Sequence, residues 1–373
     1  MKIMQIIDTL MVGGAERMLV DISNALIKKG IQVTVCLTRE EGILKSQLDC
    51  SITSYCLKRQ SRFDLSGLYR FKELIQQEKP DILHVHGRSS CALVALYCIV
   101  LNIRIPLVFQ DHYGRVYIDR TIPFWFKLYG KNRIRAYIGV DEELGKWAAD
   151  IGYPHEHIYV INNAIDLSRY RLNKEILSNH SFLTGLFVAG IRYEKGLHLL
   201  IESVSKIKEK EKVKFLILGG VRNQEYYDRC MLRIKELQVE NQFEFIGERV
   251  DIENYISQSN FGVIPSLSES GPLVLIEYII SGLPVIYSKV GEISNKLLKL
   301  NVPGAIRPDN LDDLVFELDK MIDLTSAEFK VRKKMGRKIA EDEFNINLKI
   351  DDFISVYSSI LIRPTFHQTN DPK

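Results

Sequence analysis

The chain has 373 residues, 46% of them hydrophobic, more than one ordinary core holds, so two domains are expected. Its 50 basic residues against 47 acidic ones leave a net charge of +3, which excludes nucleic acid recognised by bulk charge and requires any anion site to be local. The six cysteines form no C-x-x-C pair and sit mostly in apolar runs, as small buried hydrophobes do in a reducing cytoplasm.

Short β-rich runs alternate with longer stretches of helical spacing, the pattern of parallel sheets covered by helices. After the first run, KIMQIID, charge and paired glycines interrupt the apolar stretch before a signal-peptide core or membrane span is complete. Those glycines, Gly13 and Gly14, stand in a strand-to-helix turn where a ligand can approach the backbone and free N–H groups can face an anion. The plain alternative is a tight turn that needs positive φ. No third glycine completes a G-x-G-x-x-G spacing, so nicotinamide chemistry loses support. The next segment carries Ala15, Met18, Leu19, Ile22, Ala25 and Leu26 on one helical stripe and stops at Gly30; with IQVTVCLT it closes a βαβ unit.

SITSYCL, DILHVHG, PLVFQD, AYIGV and HIYVIN continue the first series of strands. His84 and His86 share one face of DILHVHG; no third ligand accompanies them, so core packing is favoured over zinc. The apolar run 91–103 fits a buried helix. His112 follows PLVFQD, ahead of Gly114 and Arg115, and puts a donor-capable side chain at the rim of a cleft. The aromatic and basic segment 122–135 reads as a helix with one apolar face, and a membrane- or acceptor-facing surface is the alternative.

The polar stretch 166–181 reads as a linker between an N-terminal domain, 1–165, and a C-terminal one, 182–345. LFVAG, KFLILGG, FEFIG, FGVIP and PVIYS form a second series of strands, and past Asp309 only helical patterns remain. The last, 346–362, is expected to cross back onto the N-terminal domain, and 363–373 to form a flexible tail. The expected fold is α/β: two doubly wound, Rossmann-like domains whose strand C-termini face a shared cleft.

Arg192 and Lys195 follow LFVAG in the turn before a helix, where two cations suit a diphosphate; a solvated charged turn is the alternative. Gly219 and Gly220 form a similar strand-end turn. The most informative stretch is FGVIPSLSESGPLVLIEY, in which Gly271, Pro272 and Leu273 open a helix whose N-terminal amides suit a phosphate. Glu269 and Glu277 bracket that helix start. A carboxylate accepts two hydroxyl hydrogen bonds, so Glu277 suits a ribose and Glu269 a transferred sugar, unless both are simply acids favoured near a helix N-terminus.

These motifs, in this order from Lys2 to about Leu361, resemble glycosyltransferase family 4, retaining enzymes of the GT-B architecture. The residues that carry the resemblance are GGAER, PDILHVHG, the strand end at His112, VINNAID, Lys195 and Gly196, FIGERVDIENYISQSN, and the E-SGPLVLI-E segment. The resemblance implies a nucleoside-diphosphate sugar, uridine favoured over guanosine, bound in the second domain. Glu277 would hold the ribose, Glu269 the donor sugar and Lys195 the diphosphate, with His112 near the reacting sugar and Gly13 and Gly14 closing over the phosphate. It implies a glycan or lipid-linked saccharide acceptor of bacterial surface polysaccharide synthesis, a cytoplasmic setting with peripheral membrane contact, and no metal. No D-x-D motif is present, the nearest match being Asp251 with Glu253. Two departures stand out: the family's usual arginine five residues before the lysine is Gly190 here, leaving Arg192 as the substitute, and Asp141 replaces a usual serine at a helix start. A sugar-nucleotide epimerase or hydrolase on the same scaffold, or a non-catalytic binding subunit, would share these motifs.

Overall fold

The computed structural model describes residues 1–61, 64–170 and 182–362. The expected linker at 166–181 is therefore described only as far as Tyr170, and the expected tail at 363–373 lies outside the described residues. Seven parallel strands build the first sheet: β1 (Lys2–Ile7), β2 (Gln32–Leu37), β3 (Thr53–Cys56), β4 (Ile82–His86), β5 (Leu107–Asp111), β6 (Ile134–Gly139) and β7 (Ile158–Val160). Their spatial order is β3-β2-β1-β4-β5-β6-β7. The second sheet contains β8 (Leu183–Val188), β9 (Val213–Leu218), β10 (Phe243–Gly247), β11 (Phe261–Ile264), β12 (Val285–Ser288) and β13 (Ala305–Ile306), ordered β10-β9-β8-β11-β12-β13. All twelve expected runs form strands. The two-residue β13 is an addition, too short to leave a hydrophobic pattern.

The helices of the N-terminal unit are α1 (Gly14–Lys28), α2 (Leu65–Glu78), α3 (Arg88–Val100), the single turn α4 (Lys131–Arg133) and α5 (Glu142–Asp150). Those of the C-terminal unit are α6 (Leu197–Lys206), α7 (Gln224–Glu236), α8 (Ile252–Gln258), α9 (Leu273–Ile280), α10 (Gly291–Lys299), α11 (Leu311–Ile322) and α12 (Ser326–Glu343). α1 buries the apolar stripe read from the sequence and ends ahead of Gly30, whose φ of 76° suits only glycine. The segment 122–135 departs from the expected amphipathic helix: it forms a π-helical turn at Phe126–Gly130 that runs straight into α4. Phe126 is buried there, whereas Phe124 and Leu128 are 77% and 62% exposed.

The last helix, α13 (Ile346–Ile362), returns to the N-terminal unit and packs on α1. Tyr357 and Phe353 lie fully buried against His84 of β4, with a hydrogen bond of 2.8 Å between the Tyr357 hydroxyl and His84 Nδ1. This helix ties the two ends of the chain together across a residue separation of 273.

Asp141 caps α5, its Oδ1 accepting from the Leu144 N–H at 2.7 Å, as a serine would. Its other oxygen is buried without a hydrogen-bond partner. Burial first, then the nearby charges of Glu292, Asp111 and Glu143, push its pKa up to about 7 against the opposing cap bond. A carboxyl with a raised pKa binds its proton more tightly in the folded chain, so its contribution to stability is lost as pH rises from the ordinary aspartate range through about 7. Asp141→Asn keeps the cap and cannot ionise. Its urea midpoint should rise relative to the unsubstituted chain between about pH 5 and about pH 8, and a pH-independent difference would contradict the assignment.

Candidate active site

Each sheet reverses its strand order once, between β1 and β4 and between β8 and β11. At such a point the loops leaving neighbouring strands diverge and open a crevice at the strand C-termini. The two crevices face each other across one cavity of about 490 Å³. The residues proposed from the sequence for the donor and its reaction line it: Gly13, Gly14 and His112 from the N-terminal unit, and Arg192, Lys195, Gly219, Gly220, Glu269, Gly271, Pro272, Leu273 and Glu277 from the C-terminal one.

The glycines are there for different reasons. Gly13 is extended, at φ −172°, and neither it nor Gly14 has a positive φ, so the tight-turn alternative does not hold. A Cβ on Gly13 would meet the Glu16 carboxylate, and one on Gly14 would touch the Leu273 side chain across the cleft. Gly196 does need its left-handed φ of 71°, because it turns the chain from Lys195 into α6 while its Cα passes Pro265; a Cβ would lie 2.0 Å from the Pro265 carbonyl oxygen. Gly219, at φ 142°, is held as tightly against the Ala189 carbonyl.

Lys195, set by a 3-10 turn at Tyr193–Lys195, pairs with Glu269, whose Oε1 also accepts from the Ser266 hydroxyl at 3.0 Å. Both side chains are largely withdrawn from solvent, so the pair is strongly held. The helix start follows: Pro272 is the residue before α9 rather than its first, no side chain caps the amides of Leu273 and Val274, and the Leu275 N–H donates to the Pro272 carbonyl at 3.1 Å. Glu277 is buried in the second turn of α9, and its Oε1 accepts from the Tyr170 hydroxyl at 2.7 Å. Burial raises its pKa, opposed by Tyr170, Arg17 and Arg169.

His112 leaves β5 half-buried at the cavity wall, and burial holds its pKa down to about 3, so the ring is neutral. The loop behind it touches the other unit directly: the Ser268 hydroxyl donates to the Gly114 carbonyl at 2.8 Å, and Arg115 lies 3.5 Å from Glu194. From the stretch that follows β7, the Asn163 amide donates to the Gly271 carbonyl at 2.7 Å.

At Gly190 the structure shows what the sequence withheld. A Cβ there would lie 2.9 Å from Arg222 Cγ, and one at Gly220 would lie 3.5 Å from Arg222 Cζ. Both glycines leave room for the Arg222 side chain, which lines the cavity and pairs with Glu248 at 2.7 Å. Arg192 lines the same cavity but is exposed at the lip. Arg222 and Tyr170 had no signal of their own, since each sits outside a recognisable motif and reaches the site only through the fold, whereas Arg17, which also lines the cavity, closes the GGAER motif and was passed over there. Gly196→Ala should destabilise the chain by more than about 1 kcal/mol, read from the urea midpoint, because neither the φ nor the Pro265 carbonyl can give way.

Two family models tile the chain, Glycosyltransferase Family 4 over residues 12–169 and Glycosyl transferases group 1 over residues 170–342. The chain belongs to glycosyltransferase family 4. This glycosyltransferase is 23% identical to N-acetyl-alpha-D-glucosaminyl L-malate synthase of Bacillus anthracis, with 84% of each chain covered. It is 22% identical to UDP-Gal:alpha-D-GlcNAc-diphosphoundecaprenol alpha-1,3-galactosyltransferase of Escherichia coli, over 87% of this chain and 89% of that one. The crystal structure of Anabaena Alr3699/HepE in complex with UDP and glucose superimposes with a TM-score of 0.80 at 19% identity, covering 96% of this chain and all of that one. The GT-B fold read from the sequence is the fold of this glycosyltransferase.

Proposed function

We propose that this glycosyltransferase moves a sugar from a uridine diphosphate sugar to a hydroxyl of a glycan or lipid-linked saccharide, with retention at the anomeric carbon. The observation that carries the proposal is the convergence of three cations and an uncapped helix start on one side of a cleft, with two carboxylates beside them. Lys195, Arg192 and Arg222 would neutralise a diphosphate as it separates, and the first amides of α9 would add their dipole. Glu277, with Oε1 fixed by Tyr170, keeps its second oxygen for ribose hydroxyls. Glu269 would orient the donor sugar once the diphosphate draws Lys195 away, and His112 would meet that sugar from the other wall. The same reading divides the chain into an acceptor-side unit at 1–165, a linker at 166–181, a donor unit at 182–345 and a crossover helix at 346–362.

Relatives support the donor class: UDP is named in the Anabaena complex and UDP-Gal in the Escherichia coli enzyme's name. With cations in place for the diphosphate, the reaction should run undiminished in EDTA. Uridine diphosphate sugars should raise the melting temperature more than guanosine ones at equal concentration, a donor at a hundredfold excess over its dissociation constant adding about 2.7 kcal/mol of stability. Lys195→Ala should lower kcat by about 10- to 150-fold, the loss of a charge-assisted contact worth about 1.5–3 kcal/mol. A transfer product of inverted anomeric configuration, read by NMR, would overturn retention, and no stabilisation by any nucleotide sugar would overturn the donor assignment.

No helix among the described residues is long and apolar enough to cross a membrane. A cytoplasmic enzyme that acts on lipid-linked saccharides needs a peripheral contact, and exposed Phe124 and Leu128 beside Lys127 suit one with an anionic bilayer. Phe124→Ser with Leu128→Ser should weaken co-sedimentation with phosphatidylglycerol vesicles while leaving transfer to a water-soluble acceptor unchanged.

A further inference from the structure

Beneath the cleft wall lies a buried polar seam that the proposed reaction does not itself require. Gln5 on β1 and His84 and His86 on β4 are fully buried on the sheet face that α13 covers, and Gln5 stands beside His84 in register. His86 uses both ring nitrogens: Nε2 meets Gln5 Oε1 at 2.7 Å, and Nδ1 meets His112 Nε2 at 3.1 Å. The His86 and His112 rings lie nearly parallel, 18° apart, so the contact runs from ring edge to ring edge. Among the described residues His112 Nδ1 has no hydrogen-bond partner, and it is not among the buried unpaired atoms; it is left on the cavity side.

A charged imidazole has no counter-ion here, and burial drives the pKa of His84, His86 and His112 down, so each ring carries one proton and one lone pair. The order of donors then follows from one end. The carbonyl oxygen of Gln5 can only accept, so His86 carries its proton on Nε2 and its Nδ1 is bare. His112 must therefore place its proton on Nε2 to complete the 3.1 Å contact, which leaves Nδ1 as a lone pair. Among the described residues Gln5 Nε2 has no hydrogen-bond partner, and the Tyr357 hydroxyl of α13 is engaged with His84 Nδ1 at 2.8 Å.

We propose that Gln5 and His86 are positioning residues that fix His112 as a neutral acceptor, its proton held on Nε2 and its Nδ1 lone pair presented to a hydroxyl of the bound sugar. The ligand in this statement rests on the function proposed above; the direction of the protons does not. Reversing the Gln5 amide would reverse every proton in the chain and turn His112 Nδ1 into a donor, so the two states are distinguishable by where one proton sits.

Nitrogen-15 NMR of the full chain with labelled histidine reads this directly, the His112 signals being assigned by their loss in His112→Asn. The expected result is the Nε2–H form for both His112 and His86 near pH 7, with neither ring taking a second proton in its ordinary range. His112 protonated on Nδ1, or titrating in the ordinary histidine range, would overturn the proposal. Gln5→Leu should release the constraint: His112 then samples both tautomers, and kcat/KM for the donor falls by about 10- to 100-fold, the usual cost of losing a partner that orients a functional histidine. Affinity for UDP, which lacks the sugar, should stay unchanged. Equal losses for UDP and donor would mark a merely structural role and overturn it, as would undiminished transfer with a folded variant. If the unsubstituted chain shows the Nε2–H form yet transfers no sugar, the function proposed above is lost and the proton order stands.

Discussion

A parallel sheet that grows outward in both directions from a central pair of strands must send its connections to opposite faces at that pair, and the loops diverge there. In this chain that constraint acts twice, at β1/β4 and at β8/β11, and nearly everything of chemical interest follows from it. Gly13 and Gly14 follow β1, His112 follows β5 next door, Lys195 and Gly196 follow β8, and Glu269 to Leu273 follow β11. The backbone at these exits is crowded, which is why Gly196 and Gly219 each pass a carbonyl oxygen at a distance no Cβ tolerates. Sequence-distant residues meet because strand order, rather than chain order, sets the neighbours.

The cleft is also electrostatically prepared. Two of its cations are already engaged with carboxylates, Lys195 with Glu269 and Arg222 with Glu248, which offsets part of the positive charge gathered there. In the proposed reaction a diphosphate competes for the same cations with greater charge, and a carboxylate displaced from its lysine becomes available to sugar hydroxyls. The pairing therefore serves two states with the same groups. Arg222–Glu248 is the weaker of the two, since both side chains remain partly in water, and its value lies in where it holds the guanidinium rather than in stability.

Much of this was legible in the sequence, for identifiable reasons. Strands of parallel sheets are buried on both faces and read as apolar runs, so twelve of them could be bounded from the residues alone, while β13, two residues long, could not. The candidate site residues were legible because they sit at strand exits, next to glycine or proline, where local pattern and tertiary position coincide. What escaped is what the fold joins over distance. Tyr170 reaches Glu277 across 107 residues, and Tyr357 reaches His84 across 273. Gly190 was read as a loss because the sequence shows only the missing side chain; the Arg222 stem that fills the same volume arrives from the next strand exit. His84 and His86 were read as core packing, and both are buried, but that reading undersold them, since hydrogen-bond direction is invisible to a pattern of hydrophobicity.

That seam under α13 has a cost. Gln5 Nε2, His84 Nε2 and both ends of the Gln110 amide are buried without a hydrogen bond of good geometry, and a buried polar group left unmade costs about 1–3 kcal/mol. Leucine, valine or phenylalanine would fill the same volume between a sheet and a helix more favourably. A polar seam that is expensive and central, and that ends at His112 on the cleft wall, is therefore explained poorly by stability. An apolar core could hold His112 in place, but it could not tell one nitrogen of the ring from the other. Only a directional chain of donors and acceptors does that, and here the chain runs from Gln5 through His86 to His112, at the wall where a sugar would lie.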